Sequence, residues 1–211
     1  MAAGEHAAAV SAGGVPLGGA PRQGGGGLMR IDVVFAGLGG QGLLTMGQIL
    51  AAAALKEGKR VSWLPSYSPE VRGGWANCTV VLSDDRIGSP TVGEPSVLVA
   101  LEQGAVNRHG VSVKPGGTIL LNASLIAAPP ERDDVRIIDV PATEIADELG
   151  NPHVVNSIML GAYVAATQAV ALENLAEAIR DQLKSRPHLI DVNMAALYRG
   201  VGAVAAEAAG H

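Results

Sequence analysis

Short apolar runs punctuated by glycine and proline fill the first two thirds of the chain, and the last third changes to helical spacing. Residues 31–36 (IDVVFA) are a short apolar run ending at Gly37, which predicts a buried parallel strand. Residues 41–56 place apolar side chains at 43, 46, 50 and 53/54, the spacing of one helix face, and Gly58 suits the end of that helix. Residues 60–64 predict a second strand, so strand, helix and strand form a βαβ unit with a right-handed crossover. Two prolines and two glycines in residues 65–74 (PSYSPEVRGG) then predict a loop with several fixed bends. Further strands are expected over 75–83, 97–101, 116–122 and 136–140, with a turn at 87–93.

Beyond Pro141 the spacing predicts helices over 142–149, 156–170, 172–183 and 192–208, with Asn156 as N-cap of the second. Gly150, Asn151 and Pro152 stop the first of these. Strands early, helices late and a βαβ unit at the front imply an α/β fold: a single three-layer Rossmann-like domain with a mostly parallel sheet and C-terminal helices. Residues 1–28 are rich in Gly and Ala, and no strand or helix is expected there; they are read as a flexible, disordered extension before a domain at 29–211.

The turn between the first strand and helix reads Gly37-Leu38-Gly39-Gly40-Gln41-Gly42 and satisfies G-x-G-x-x-G. Glycines there admit positive φ and close approach of a ligand, and the helix N-terminus offers free N–H groups. A dinucleotide site also wants an acid about 20 residues on, at the end of the second strand. That region reads Val61-Ser62-Trp63-Leu64-Pro65, without one. The turn alone therefore admits three readings: an NAD(P) site, a packing turn, or a seat for another phosphate or carboxylate. Gln41 adds a neutral donor and acceptor at the positive end of the helix. In the second loop, Tyr67 offers a ring and a hydroxyl, Glu70 an acceptor and Arg72 a planar fork suited to carboxylate or phosphate, while Gly73 and Gly74 allow close approach. The loop is expected at the carboxyl edge of the sheet, beside the glycine turn. A local Glu70–Arg72 pair that only pins the loop is the competing reading.

Composition narrows the chemistry. Net charge is −5 and no basic cluster is interleaved with aromatics, so nucleic acid is not expected as a partner. One cysteine, Cys78, permits no internal disulfide and cannot hold an iron–sulfur cluster; it is expected to be a buried small apolar group in a reducing, cytoplasmic setting. The five histidines have no metal spacing, and no metal site or catalytic residue is assigned. No unbroken run of about 18 apolar residues predicts a membrane span.

Four motifs in order, GLGGQGLLTMGQILAAAALKEGKRV, PSYSPEVRGG, SPTVGEPSVLVAL and VPATEIADELGNPHVVNSIMLGAYV, resemble the gamma subunit of the 2-oxoacid:ferredoxin oxidoreductases, the last motif especially the 2-oxoglutarate type. The resemblance runs from about residue 31 to 205. It implies a multi-subunit enzyme that oxidatively decarboxylates a 2-oxoacid to an acyl-coenzyme A. Thiamine diphosphate, magnesium and iron–sulfur clusters are implied on alpha, beta or delta partners, with ferredoxin as acceptor. No Gly-Asp-Gly followed by Asn, the magnesium–diphosphate signature, occurs here, which fits an accessory subunit inactive by itself. By position, Gly37, Gly39, Gly40, Gln41 and Gly42 match the family's glycine turn, and Ser66, Tyr67, Glu70, Arg72, Gly73 and Gly74 its second motif. Asn156 falls at a later helix start. The resemblance admits a coenzyme A contact at these residues, with Arg72 foremost. Ser68 stands where many relatives have Gly. An indolepyruvate oxidoreductase subunit and a stand-alone NAD(P) dehydrogenase are the competing functions.

Overall fold

The computed structural model describes residues 29–68 and 74–209, so the extension at 1–28 and the site residues Glu70, Arg72 and Gly73 lie outside the described residues. Six strands form one sheet in the order β2-β3-β1-β4-β5-β6: β1 Arg30–Leu38, β2 Arg60–Tyr67, β3 Trp75–Ser83, β4 Val97–Ala100, β5 Thr118–Asn122 and β6 Arg136–Val140. β1, β4, β5 and β6 run parallel, and β3 alone opposes its neighbours, pairing antiparallel with both β1 and β2. The mostly parallel α/β expectation therefore holds, with one correction. β1, helix α1 (Leu43–Lys56) and β2 do not form a pair of adjacent parallel strands, because β3 is inserted between them.

Two further boundaries differ from the sequence reading. β2 continues through Pro65, Ser66 and Tyr67, which had been expected in a loop. Proline is tolerated there because β2 is the sheet edge and one side of its backbone needs no partner. A helix α2, Gln103–His109, had not been expected; the Glu102 carboxylate starts it by accepting from the Gly104 N–H at 2.6 Å.

Alternation along β1 builds two cores. Val33 and Phe35 face one side with Met46, Leu50, Ile158, Tyr163 and Leu197; Val34 and Ala36 face the other with Ala105, Val106 and Ile119. The first side carries α1, α3 (Ala142–Glu148), α4 (Val155–Thr167), α5 (Leu172–Gln182) and α6 (Ile190–Ala209), and the second carries α2, which completes the three layers. Small residues let the helices approach. Cβ atoms on Gly161 and Gly200 would fall within the van der Waals shells of the Leu197 and Ile158 carbonyl oxygens, so α4 and α6 cross with their backbones in contact. The helical span Pro187–Ala209 is apolar and long enough by length and composition to cross a membrane, but Met194, Leu197 and Val204 on it are core residues.

Polar side chains tie the layers. Buried Asp32 accepts from Ser96 N and Oγ at 2.6 and 2.7 Å, locking β1 to the approach to β4. Glu57, at the end of α1, accepts from Ala171 N (2.6 Å) and Asn174 Nδ2 (3.0 Å) at the start of α5 and pairs with Lys59. Burial alone would raise the Glu57 carboxyl, but hydrogen bonds from Asn174, Lys59 and Ala171 outweigh it and hold the group below its ordinary value. Cys78 is fully buried, as expected, and burial pushes its thiol up to about 12. A thiol so far from ionising is a packing group and not a nucleophile.

Candidate functional site

At the carboxyl edge of the sheet, where β1, β5 and β6 end together, a cleft of about 360 Å³ opens. Crevices at this edge are where open α/β sheets place ligands. Its wall includes Gly40, Gln41 and Gly42 from the glycine turn, Asn122 from the end of β5, Thr143 from α3, His153 from the approach to α4 and Asn156 from the first turn of α4. Among the described residues, no Asp, Glu, Lys or Arg lines it.

The turn is held by its own side chain. Gln41 Oε1 accepts from Leu38 N at 2.7 Å, and Gln41 N donates to Leu38 O at 3.2 Å. The carboxamide lies where a side chain on Gly37 would be, so Gly37 is the seat for Gln41. Gln41 lines the cleft, and with Oε1 engaged its Nε2 is the donor left on this side chain. Gly42 has φ 79° and caps α1 with no side-chain bond and no acid in the first turn. Among the described residues, no side chain accepts from the opening N–H groups of α1 and no carboxylate offsets the positive end of its dipole. α4 likewise starts without a side-chain cap or a first-turn acid.

Asn156 is not the N-cap expected from the sequence. It is the second residue of α4, its Oδ1 accepts from Ser157 N at 2.8 Å, and Asn151 caps the 3-10 turn Pro152–Val154 instead through His153 N at 3.0 Å. The Asn156 amide nitrogen packs against Gly42 so closely that a Cβ there would sit 2.8 Å from it. Fully buried Asn122 donates Nδ2 to Thr143 Oγ1 at 2.9 Å and accepts from Thr143 N at 3.3 Å, joining the end of β5 to the start of α3. The site thus offers main-chain N–H groups and carboxamide NH₂ groups, with no opposing carboxylate among the described residues, an arrangement suited to a phosphate or carboxylate oxygen.

Of the residues expected from sequence, Gly40, Gln41, Gly42 and Asn156 meet in the cleft. Gly37 and Gly39 shape the turn beneath it. Gly74 does reach that turn, its carbonyl accepting from Gly39 N at 2.9 Å. Ser66 and Tyr67 sit on the edge strand, outside the cleft lining. Asn122, Thr143 and His153 had not been expected. In a dinucleotide site the acid after β2 lies beside the glycine turn. Here β3 separates β2 from β1, so the end of β2 is displaced as well as lacking an acid. Among the described residues, no three His, Cys, Asp or Glu side chains gather as a metal ligand set.

Comparison with known proteins follows the same outline. The model of one family, described as "Pyruvate ferredoxin/flavodoxin oxidoreductase", matches residues 32–203. The ketoisovalerate oxidoreductase subunit VorA of Methanothermobacter marburgensis is 40% identical over 172 residues, covering 81% of this chain and only 36% of that protein. The 2-oxoglutarate synthase subunit KorC of Methanocaldococcus jannaschii is 38% identical over 158 residues, covering 74% of this chain and 84% of that subunit. The crystal structure of a keto/oxoacid ferredoxin oxidoreductase gamma subunit from Geobacter sulfurreducens PCA superposes with a TM-score of 0.74 at 29% identity, covering 83% of this chain and 99% of that one.

Proposed function

Because the chain belongs to the pyruvate ferredoxin/flavodoxin oxidoreductase family, we propose that it is the gamma component of a cytoplasmic, multi-subunit 2-oxoacid:ferredoxin oxidoreductase of the 2-oxoglutarate type. The complex oxidatively decarboxylates the 2-oxoacid, passes the acyl group to coenzyme A and sends the electrons to ferredoxin. Thiamine diphosphate with magnesium, and the iron–sulfur clusters, belong to alpha, beta or delta partners. The observation that supports the gamma-subunit reading is the match along most of the KorC subunit's own length, against about a third of VorA, and the 2-oxoglutarate type rests on the resemblance of the fourth motif. The single cysteine supports placing the clusters elsewhere.

The contribution of this chain is binding and orientation. The opening amides of α1 and the amide groups of Gln41 and Asn156 would hold an anionic group of coenzyme A at the cleft, whose acyl-accepting thiol is the chemistry the group supplies. Asn122 and Thr143 keep the floor fixed. Gly74 ties the second motif to the same turn, and Ser66, Tyr67, Glu70, Arg72 and Gly73 are assigned to the contact by the resemblance.

Acceptor reduction by the complex purified with this chain tests the substrate. With coenzyme A present, 2-oxoglutarate gives the highest kcat/KM among 2-oxoglutarate, pyruvate and 3-methyl-2-oxobutanoate. A higher value with either of the other two replaces the 2-oxoglutarate assignment.

A further inference from the structure

A second cavity, of about 170 Å³, opens between α1, α4, α5 and α6. His153 and Asn156 line both it and the cleft, so the two spaces adjoin across one wall. Their chemistry differs. Among the described residues the cleft is lined by neutral amides, Thr143 and His153 with no Lys or Arg, whereas the second cavity has Arg186 in its lining, with Thr45, Asn151 and Gln182 and no Asp or Glu. Part of that lining is fixed: buried Ser157 donates to Asn193 Oδ1 at 2.7 Å, and Asn193 Nδ2 donates to Leu189 O at 2.8 Å. Arg186 has no ion-pair partner among the described residues. The acid nearest to it along α5, Asp181, is taken by Lys56 and Lys184 at 3.0 and 2.9 Å.

Neutral N–H groups suffice for a group that shares its charge along a diester-like chain. A terminal phosphate monoester carries nearly two charges and is best met by a planar guanidinium. We propose that the second cavity is a phosphomonoester site for the ligand held in the cleft, with Arg186 as its charged contact. The proposal rests on the coenzyme A reading above, since that molecule carries both a diphosphate and a separate 3′-phosphate. It assigns the 3′-phosphate to the Arg186 cavity and the diphosphate to the glycine-turn cleft.

Isothermal titration of the complex purified with the full chain, using coenzyme A and 3′-dephospho-coenzyme A, tests it. The natural sequence binds coenzyme A about tenfold more tightly than the dephospho form, the difference of one charge-assisted contact. Arg186→Gln removes that preference by weakening coenzyme A alone, with an unchanged thermal midpoint because Arg186 is exposed and unpaired. A preference kept by Arg186→Gln, or absent from the natural sequence, overturns the assignment while leaving the coenzyme A reading intact. Binding of neither compound by the natural sequence overturns both.

Discussion

Gly200→Ala lowers the thermal midpoint by about 4–8 °C, read by circular dichroism on the full chain. Helix propensity predicts the opposite sign, since Ala in a helix interior is favoured over Gly by about 1 kcal/mol. The crossing decides the outcome. The Cβ would meet the Ile158 carbonyl oxygen, and the reciprocal change at Gly161 would meet that of Leu197. Both obstacles are main chain held in helical hydrogen bonds, so neither can rotate away as a side-chain end would. Separating the helices forfeits close contact along an interface that includes Ile158, Ala162 and Leu197, and overpacking against main chain costs about 3 kcal/mol, which leaves a net loss of about 2 kcal/mol and, at about 2–4 °C per kcal/mol for a chain of this length, the stated shift. A midpoint equal to or above that of the natural sequence would mean that the helices do not touch at these glycines.

Gly42→Ala raises the KM for coenzyme A by about 10–100-fold in the assembled enzyme, as expected when binding groups shift by a fraction of an ångström to an ångström. Two effects combine there: φ 79° is unfavourable for Ala, and its Cβ presses on the Asn156 amide at 2.8 Å. Gly58→Ala separates strain from site. Gly58 has φ 74° with nothing within 4 Å of a Cβ, so that variant carries a similar backbone penalty without touching the cleft. Gly42→Ala should change KM and Gly58→Ala should change stability alone. Equal KM values for the two variants would remove the glycine turn from the coenzyme A site.

Much of the architecture is legible because a buried parallel sheet leaves short apolar runs and an amphipathic helix leaves a periodic stripe. β1, α1, β4 and β5 are of this kind. Strand direction leaves no such mark, which is why the inserted antiparallel β3 is invisible in the apolar pattern of residues 75–83. α2 is short, contains Gly104 and depends on Glu102 as a cap, so its periodicity is too brief to read. In the site, the glycine turn is legible because local backbone geometry demands glycine. Asn122, Thr143 and His153 are not, because β5, β6 and the approach to α4 meet them only once the sheet has formed. Asn156 has the residue type of a cap, but Asn151, five residues earlier, already opens the preceding 3-10 turn.

On the proposed function, this chain shapes and orients while its partners carry the redox chemistry. Reduction of ferredoxin with 2-oxoglutarate, thiamine diphosphate, magnesium and coenzyme A, measured for the chain alone, for its co-purifying partners alone and for the two recombined, tests this most directly. The chain alone is expected to give no turnover, the partners alone little, and the recombined complex full turnover. Appreciable turnover by the isolated chain, or a full rate from partners lacking it, would contradict this division of labour.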